Sequence, residues 1–409
     1  MVEQVVKGKR RTVLRAGLAG IVATAATVSG IAASASALTP TPWGNPVPGA
    51  AAMGTYFSLM ATAPDATGFN EVYAAGDNLW GELGIGSTSF GSNVFVKVKG
   101  LTRVKAVAAG TTTAVAVKQD GTVWTWGSNL NGELGLGLDP ETELHVPTQV
   151  PGITNAVSVS VANLGAVVVV LADGTAKTWG AKNANCSNSS TPVTVAGVTG
   201  LATTPRAVAL GYSHYLALKA DGTVQAWGSS NNYGQLGTGD TTASCSPHTV
   251  PGLSGVTQVA AGDYHSVALT SDGTVKAWGW NGSGQIGDGT TTNRLSPVTV
   301  PGLANVVGIS AVYRYSTAVT SAAAPANNRF AWGANSYGQL GTGTTSYALS
   351  PTPLAGENFS NTVIAAGKFH ALSVQSGAVP RAWGNNSSGE LGTGDTVDHP
   401  TPTYVQRVG

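Results

Sequence analysis

A Trp-Gly pair, or a near copy of it, recurs seven times: Ala75-Gly76, Trp126-Gly127, Trp179-Gly180, Trp227-Gly228, Trp278-Gly279, Trp332-Gly333 and Trp383-Gly384. Successive copies are 51, 53, 48, 51, 54 and 51 residues apart. A fixed period of about 50 residues means that one supersecondary unit is repeated, and such a unit buries its apolar face only against its neighbours. The repeat therefore predicts a stacked array and assigns most shared residues to scaffold. Function must be sought in what the copies do not share.

The clearest copy runs from Gly262 to Leu303. It opens Gly262, Asp263, Tyr264, His265, continues with the apolar run Ser266–Thr270, and reaches the run Thr274–Gly279 through Asp272-Gly273. Two β-type runs joined by Asp-Gly predict a hairpin with a tight primed turn, because that pair tolerates positive φ. The turn recurs at Asp120-Gly121, Asp173-Gly174 and Asp221-Gly222, and the seventh copy has Ser376-Gly377. The first and sixth copies have the loops Pro64–Asn70 and Pro325–Asn328 instead. After Trp-Gly comes a box, Gly-Glu/Gln-Leu/Ile-Gly-x-Gly, at Gly81–Gly86, Gly132–Gly137, Gly234–Gly239, Gly284–Gly289, Gly338–Gly343 and Gly389–Gly394. Glycines this dense serve sharp turns and close packing. A third strand opens near Pro247 or Pro297, and a fourth follows, as at Val256–Ala260. Four strands per unit make a propeller blade.

These elements, Gly-x-x-His-Ser-x-Ala-Leu, Asp-Gly-x-Val-x-x-Trp-Gly and Gly-Gln-Leu-Gly-x-Gly, cover roughly residues 46 to 408. The pattern resembles the regulator of chromosome condensation repeat family, which forms seven-bladed β-propellers. The expected fold is all-β: seven four-stranded blades in one domain. The third copy departs, with no Gly box between Trp179 and Pro192, so its loop should be shorter. The last copy ends at Val405–Gly409 without a fourth strand, while Pro46–Gly54 reads as an unattached one. The ring is therefore expected to close by pairing N-terminal and C-terminal strands in one blade, which removes exposed edges.

Residues 1–37 read as an export signal, with residues 38–409 as the propeller. Lys7, Lys9, Arg10, Arg11 and Arg15 precede a weakly apolar run, and Ala33, Ala35 and Ala37 offer small-residue cleavage sites. The Arg10-Arg11 run resembles a twin-arginine signal, which implies bacterial export of a folded chain; an ordinary secretory signal is the other reading. A secreted or envelope location is expected, without stable membrane insertion once the signal is removed. Removing residues 1–37 takes away five of 21 basic and one of 20 acidic side chains, leaving a net charge of −3. Such a surface does not suit non-specific nucleic-acid or anionic-lipid binding. The two cysteines, Cys186 and Cys245, follow the Trp-Gly of adjacent copies. A disulfide in an oxidising compartment and two separate buried thiols both fit that spacing.

No catalytic site or cofactor is expected. His214, His265 and His370 share one repeat position, with Ala114, Ala166 and Thr317 at or near it elsewhere. They read as scaffold groups bonding backbone at a strand start. Glu82, Glu133 and Glu390 interchange with Gln235, Gln285 and Gln339, which argues against acid-base work. Two cysteines without clustered histidines are too few for a metal.

Variable residues collect where the Gly-x-x-His loop and the residues after Trp-Gly share one face. Tyr56, Phe57, Tyr212, Asp263, Tyr264, Tyr313, Arg314, Tyr315, Lys368 and Phe369 stand in the pre-His slots, and Trp280 follows Trp-Gly. Trp80, Tyr233 and Tyr337 precede the box and read as packing. Aromatics of this kind either fill the channel mouth or form a platform; Tyr, Trp and Arg are frequent interface anchors. The platform reading gives a secreted, non-enzymatic, monomeric propeller that binds a protein partner. The superfamily that the chain resembles includes a bacterial secreted β-lactamase inhibitor with an aromatic-rich face, built from shorter units than the boxes here, and this extends the expectation to inhibition of an extracellular enzyme. A carbohydrate-binding or structural envelope module is the alternative.

Overall fold

The computed structural model describes residues 51–321, 328–356, 362–375 and 378–408. The expected export segment, the Ser376-Gly377 turn and most of the Pro325–Asn328 loop lie outside the described residues, as do residues 46–50. Among the described residues, twenty-eight strands form seven four-stranded antiparallel sheets, each from consecutive segments of chain. Blade 5 is representative, with Val256–Ala261 innermost, then His265–Thr270, Val275–Gly279 and Arg294–Thr299. Residues 51–102 form blade 1, and blade 7 contains Thr362–Ala366, His370–Gln375, Arg381–Gly384 and His399–Tyr404. The innermost strands of all seven blades line a central cavity of about 230 Å³.

The expected strand exchange does not occur. Ala51–Met53 pairs with Phe57–Ala61 inside blade 1, and blade 7 has its own four strands. The strand that follows each Pro-rich strand opens the next blade instead of finishing its own. The blade boundary therefore falls one strand earlier than the sequence unit suggests, and neither end lacks a strand. The C-terminal tail nevertheless reaches blade 1: Phe95 donates to the Gln406 carbonyl at 2.9 Å, and Val408 donates to that of Phe95 at 3.0 Å.

The core is divided among the seven blade interfaces. Trp126, Trp179, Trp227, Trp278, Trp332 and Trp383 are buried, each in a cluster formed with the preceding blade. Each indole Nε1 donates to a backbone carbonyl of that blade, as from Trp278 to Gln235 at 2.9 Å and from Trp126 to Glu82 at 2.7 Å. A buried indole needs such a partner; the box supplies the carbonyl where it is present, and Ala184 supplies it to Trp227 from the blade that lacks a box. Blade 1 has Ala75 at the Trp position, and Phe95 from its outer strand fills the interface with blade 7.

The Asp-Gly connections are hairpins of a different kind from the one expected. Gly121 donates to the Lys118 carbonyl, Lys118 donates to that of Thr122, and only Gly121 has positive φ (81°). This is a three-residue loop with a glycine bulge. Asp120 Oδ1 holds it by accepting from Thr122 N at 3.0 Å and Thr122 Oγ1 at 2.6 Å.

Candidate interaction face

The shared polar residues are indeed bound into the scaffold. His214, His265 and His370 are buried, each in contact with a serine of the next blade: Ser266 at 3.0 Å, Ser316 at 2.8 Å and Ser58 at 3.1 Å. Each serine hydroxyl donates to a box carbonyl, of Gln235, Gln285 and Glu390 respectively. The serine proton is thereby committed, so histidine Nε2 carries hydrogen and donates. Burial lowers the three histidines to about 4, 3 and 3 respectively, which keeps them neutral. The strand register places Phe57, Thr113 and Tyr315 opposite the Trp-Gly glycine exactly as the histidines are, rather than Ala114 and Thr317.

The Glu/Gln slot supplies a side-chain oxygen to the backbone N–H two residues earlier. Gln235 Oε1 accepts from Tyr233 N at 3.0 Å, and Glu390 Oε2 accepts from Ser388 N at 2.7 Å. Either residue type supplies that oxygen, which accounts for the interchange. In Glu133, burial outweighs these hydrogen bonds and raises the carboxyl to about 7.

The loops of five blades bring an aromatic crescent together. Tyr212 of blade 4 lies 5.5 Å from Tyr264 of blade 5, ring centre to ring centre. Tyr264 meets Trp280 edge-on at 6.5 Å, and Tyr233 touches both, at 5.4 and 6.1 Å. Arg314 of blade 6 then lies over Trp280 at 4.9 Å and over Tyr313 at 4.8 Å. Lys368 of blade 7 lies 5.1 Å from the Tyr313 ring and 5.2 Å from that of Phe369. Phe369 contacts Tyr313, Tyr337 and, at 6.3 Å, Tyr56 of blade 1. These side chains are half-buried, except Tyr337, which is exposed. Burial first, and Asp263 second, push the Tyr264 hydroxyl up to about 12. Blades 2 and 3 interrupt the crescent with Thr111, Thr112, Asn163 and Leu164 in the corresponding loops.

Nine of the eleven expected face residues occupy these loops; two do not contribute to an exposed face. Phe57 is fully buried in the blade 1–2 cluster. Tyr315 is fully buried, and its hydroxyl donates toward the Gly367 and His370 carbonyls, both at 2.9 Å. Both fill the inward histidine slot, one residue beyond the face. Asp263 is nearly buried and accepts from Asn163 Nδ2 at 2.6 Å, joining the loops of blades 3 and 5. Tyr233 and Tyr337, read as packing, belong to the crescent. Their backbone N–H groups donate to Gln235 and Gln339, which holds the residue before the box at the loop surface. Trp80, at the same position of blade 1, is buried as expected.

Cys186 and Cys245 form a disulfide with a Cα separation of 5.8 Å. It lies at the interface lacking a Gly box. At five of the six other interfaces, the last box glycine donates to the carbonyl of the second residue of the next blade's outer strand, as from Gly239 to Leu295 at 2.9 Å and from Gly289 to Leu349 at 3.0 Å. Cys245 holds that position in Ser244–Thr249, so the covalent bond stands where the box contact is missing. Among the described residues, no group of three or more His, Cys, Asp or Glu could hold a metal ion.

Models of the regulator of chromosome condensation (RCC1) repeat match residues 104–133, 206–235 and 256–285, and residues 120–169, 221–269, 272–319 and 329–374. The ultraviolet-B receptor UVR8 of Arabidopsis thaliana is 33% identical over 349 residues, covering 82% of this chain and 66% of the receptor. The E3 ubiquitin-protein ligase HERC2 of Homo sapiens is 31% identical over 321 residues, which is 74% of this chain but 6% of the ligase. This chain thus spans less than two thirds of either relative. Yeast RCC1, solved with Kap60 bound, superposes with a TM-score of 0.70 at 21% identity over 95% of this chain and 91% of the yeast chain. Human WBSCR16 superposes with a TM-score of 0.68 at 22% identity, over 80% and 87% of the respective chains. The structures share the fold, and the sequence matches cover more than half of the chain: it belongs to the regulator of chromosome condensation repeat family.

Proposed function

We propose that this chain is a non-enzymatic binding propeller that engages a protein partner through the crescent. The observation that carries this is the continuity of contact from Tyr212 to Tyr56 across five blades. Large, stiff, amphipathic side chains around a cation give contact area at little entropic cost, as interface anchors do. Yeast RCC1, a structural neighbour, has been solved with a protein bound, which supports the same class of role here. The rings meet edge-on or tilted, at angles such as 88° and 73°, which favours mixed side-chain contacts over a flat platform for sugars.

Export is part of the proposal. The disulfide suits an oxidising compartment, and the basic, apolar N-terminal segment suits a signal. Inhibition of a secreted enzyme, such as a β-lactamase, is one form this binding would take. The test is affinity capture on immobilised chain from Leu38, with a variant carrying Tyr212→Ala, Tyr264→Ala and Tyr313→Ala in parallel. A secreted or envelope protein held by the wild type alone supports the reading. Equal retention by both proteins moves the site elsewhere, and no retention refutes a protein partner in that proteome.

A further inference from the structure

We infer that Arg314 is the charge-recognition centre of the crescent and takes a carboxylate from an acidic segment of the protein partner. The inference rests on the proposed binding role of this face. Tyr313 and Arg314 form the two-residue turn between Val312 and Tyr315, which pair across it. Tyr313 holds φ at +47°, a conformation that a bulky side chain seldom adopts. Such strain persists only where surrounding contacts enforce it, and it is frequent at ligand clamps. Here it presents Arg314 between the rings of Trp280 and Tyr313. Among the described residues no carboxylate forms an ion pair with Arg314, and its buried Nε has no hydrogen-bond partner.

A guanidinium stacked on aromatic faces keeps its in-plane N–H fork available, and that fork matches a carboxylate in bidentate geometry. Lys368 lies on the same Tyr313 ring, so a second positive charge stands within about 10 Å of the first. Asp263, the acidic residue of the blade 5 loop, accepts from Asn163 and keeps its negative charge, and the two cations outnumber it. The local field is therefore positive on a chain whose part after residue 37 is net negative. An acidic segment with apolar flanks complements both the charge and the rings.

The test uses peptide pools with randomised flanks, identical except for Glu-Glu, Gln-Gln or phosphoserine at the centre. Each is passed over the immobilised full propeller, with R314Q and R314K variants whose melting is checked first. Retention of the Glu pool about tenfold or more above the Gln pool is expected in the wild type. R314Q should abolish that preference and R314K should leave part of it, because ammonium keeps the charge but not the fork. Equal retention of the Glu and Gln pools, lost in the triple tyrosine variant, would overturn the inference while leaving the binding role intact. A Glu preference that survives R314Q would also overturn it. Preference for phosphoserine over Glu would reassign the chemistry, and retention of no pool would overturn both the inference and the binding role.

Discussion

His370 Nε2 lies 3.1 Å from Ser58 Oγ across the seam where the last blade meets the first. The two residues are 312 apart in the chain, yet they repeat the contact that His265 makes with Ser316 between adjacent blades. The ring thus closes with the same side-chain chemistry that joins its interior interfaces. Ser58 also donates to the Glu390 carbonyl.

This seam should be more sensitive than its counterparts. At the blade 4–5 interface, the Gln235 carbonyl accepts from both Ser266 and the Trp278 indole. Blade 1 has Ala75 at the indole position. Ser58→Ala should therefore destabilise by about 2–3 kcal/mol and Ser266→Ala by about 1 kcal/mol, since loss of a buried partner costs more where the indole donor of the motif is absent. Urea denaturation of both variants checks this; equal losses would remove any special role for the seam.

Acid should weaken the fold through the histidines. Their folded values, about 4, 3 and 3, lie below an unfolded value near 6.5. The unfolded chain therefore binds more protons in that window. The stabilisation is complete above the unfolded value and is lost as pH falls toward the folded ones. Each histidine should contribute a loss of up to about 1.4 kcal/mol per pH unit within the window. Melting between pH 7 and pH 4, with His265→Gln as the comparison, reads the slope; an unchanged slope in the variant would contradict the assignment.

Glu133 should act with the opposite sign. Its carboxyl is raised to about 7 from 4.5. The folded chain binds the extra proton, so the contribution is full below 4.5 and is lost as pH rises through 7. Glu133→Gln keeps an oxygen for the Asn131 N–H and carries no charge. It should stabilise by on the order of 2 kcal/mol at pH 8 and by little at pH 4. A variant less stable than wild type at pH 8 would refute the account.

The disulfide should matter, since it ties a loop of blade 3 to the outer strand of blade 4. It joins residues 59 apart at the interface without a Gly box. Chain-entropy arguments give about 4 kcal/mol for a loop of this length. Replacing both cysteines with serine should lower the denaturation midpoint accordingly. Hydrogen exchange should rise first in blades 3 and 4, and a uniform rise around the ring would contradict a local staple.

Glycine substitutions should separate steric from torsional effects. A Cβ on Gly262 would stand 2.1 Å from His265 Cε1, whereas one on Gly302 meets nothing within 4 Å but inherits a φ of +78°. Gly262→Ala should cost about 3 kcal/mol through overpacking, and Gly302→Ala about 1 kcal/mol through the backbone alone. Adding His265→Ala to Gly262→Ala should recover part of the first loss. Additive losses would show that the ring is not what the glycine accommodates.

Blade number, strand number and the scaffold role of the histidines were legible because each depends on local pattern. The Trp-Gly period counts units, alternating runs joined by Asp-Gly mark hairpins, and recurrence of histidine at one repeat position marks a shared structural part. The blade boundary was not legible, since a periodic sequence can be cut at any strand without changing its pattern. Only pairing places Ala51–Met53 in blade 1 and leaves His399–Tyr404 as the last outer strand. The same limit misassigned Phe57 and Tyr315: one residue of register along a strand turns a side chain from the loop face into the core. Spacing also left the two cysteines undecided, because a disulfide depends on distance between blades. The crescent likewise required the ring. Its aromatics are about 50 residues apart in sequence, and closure of the blades is what sets their rings in contact.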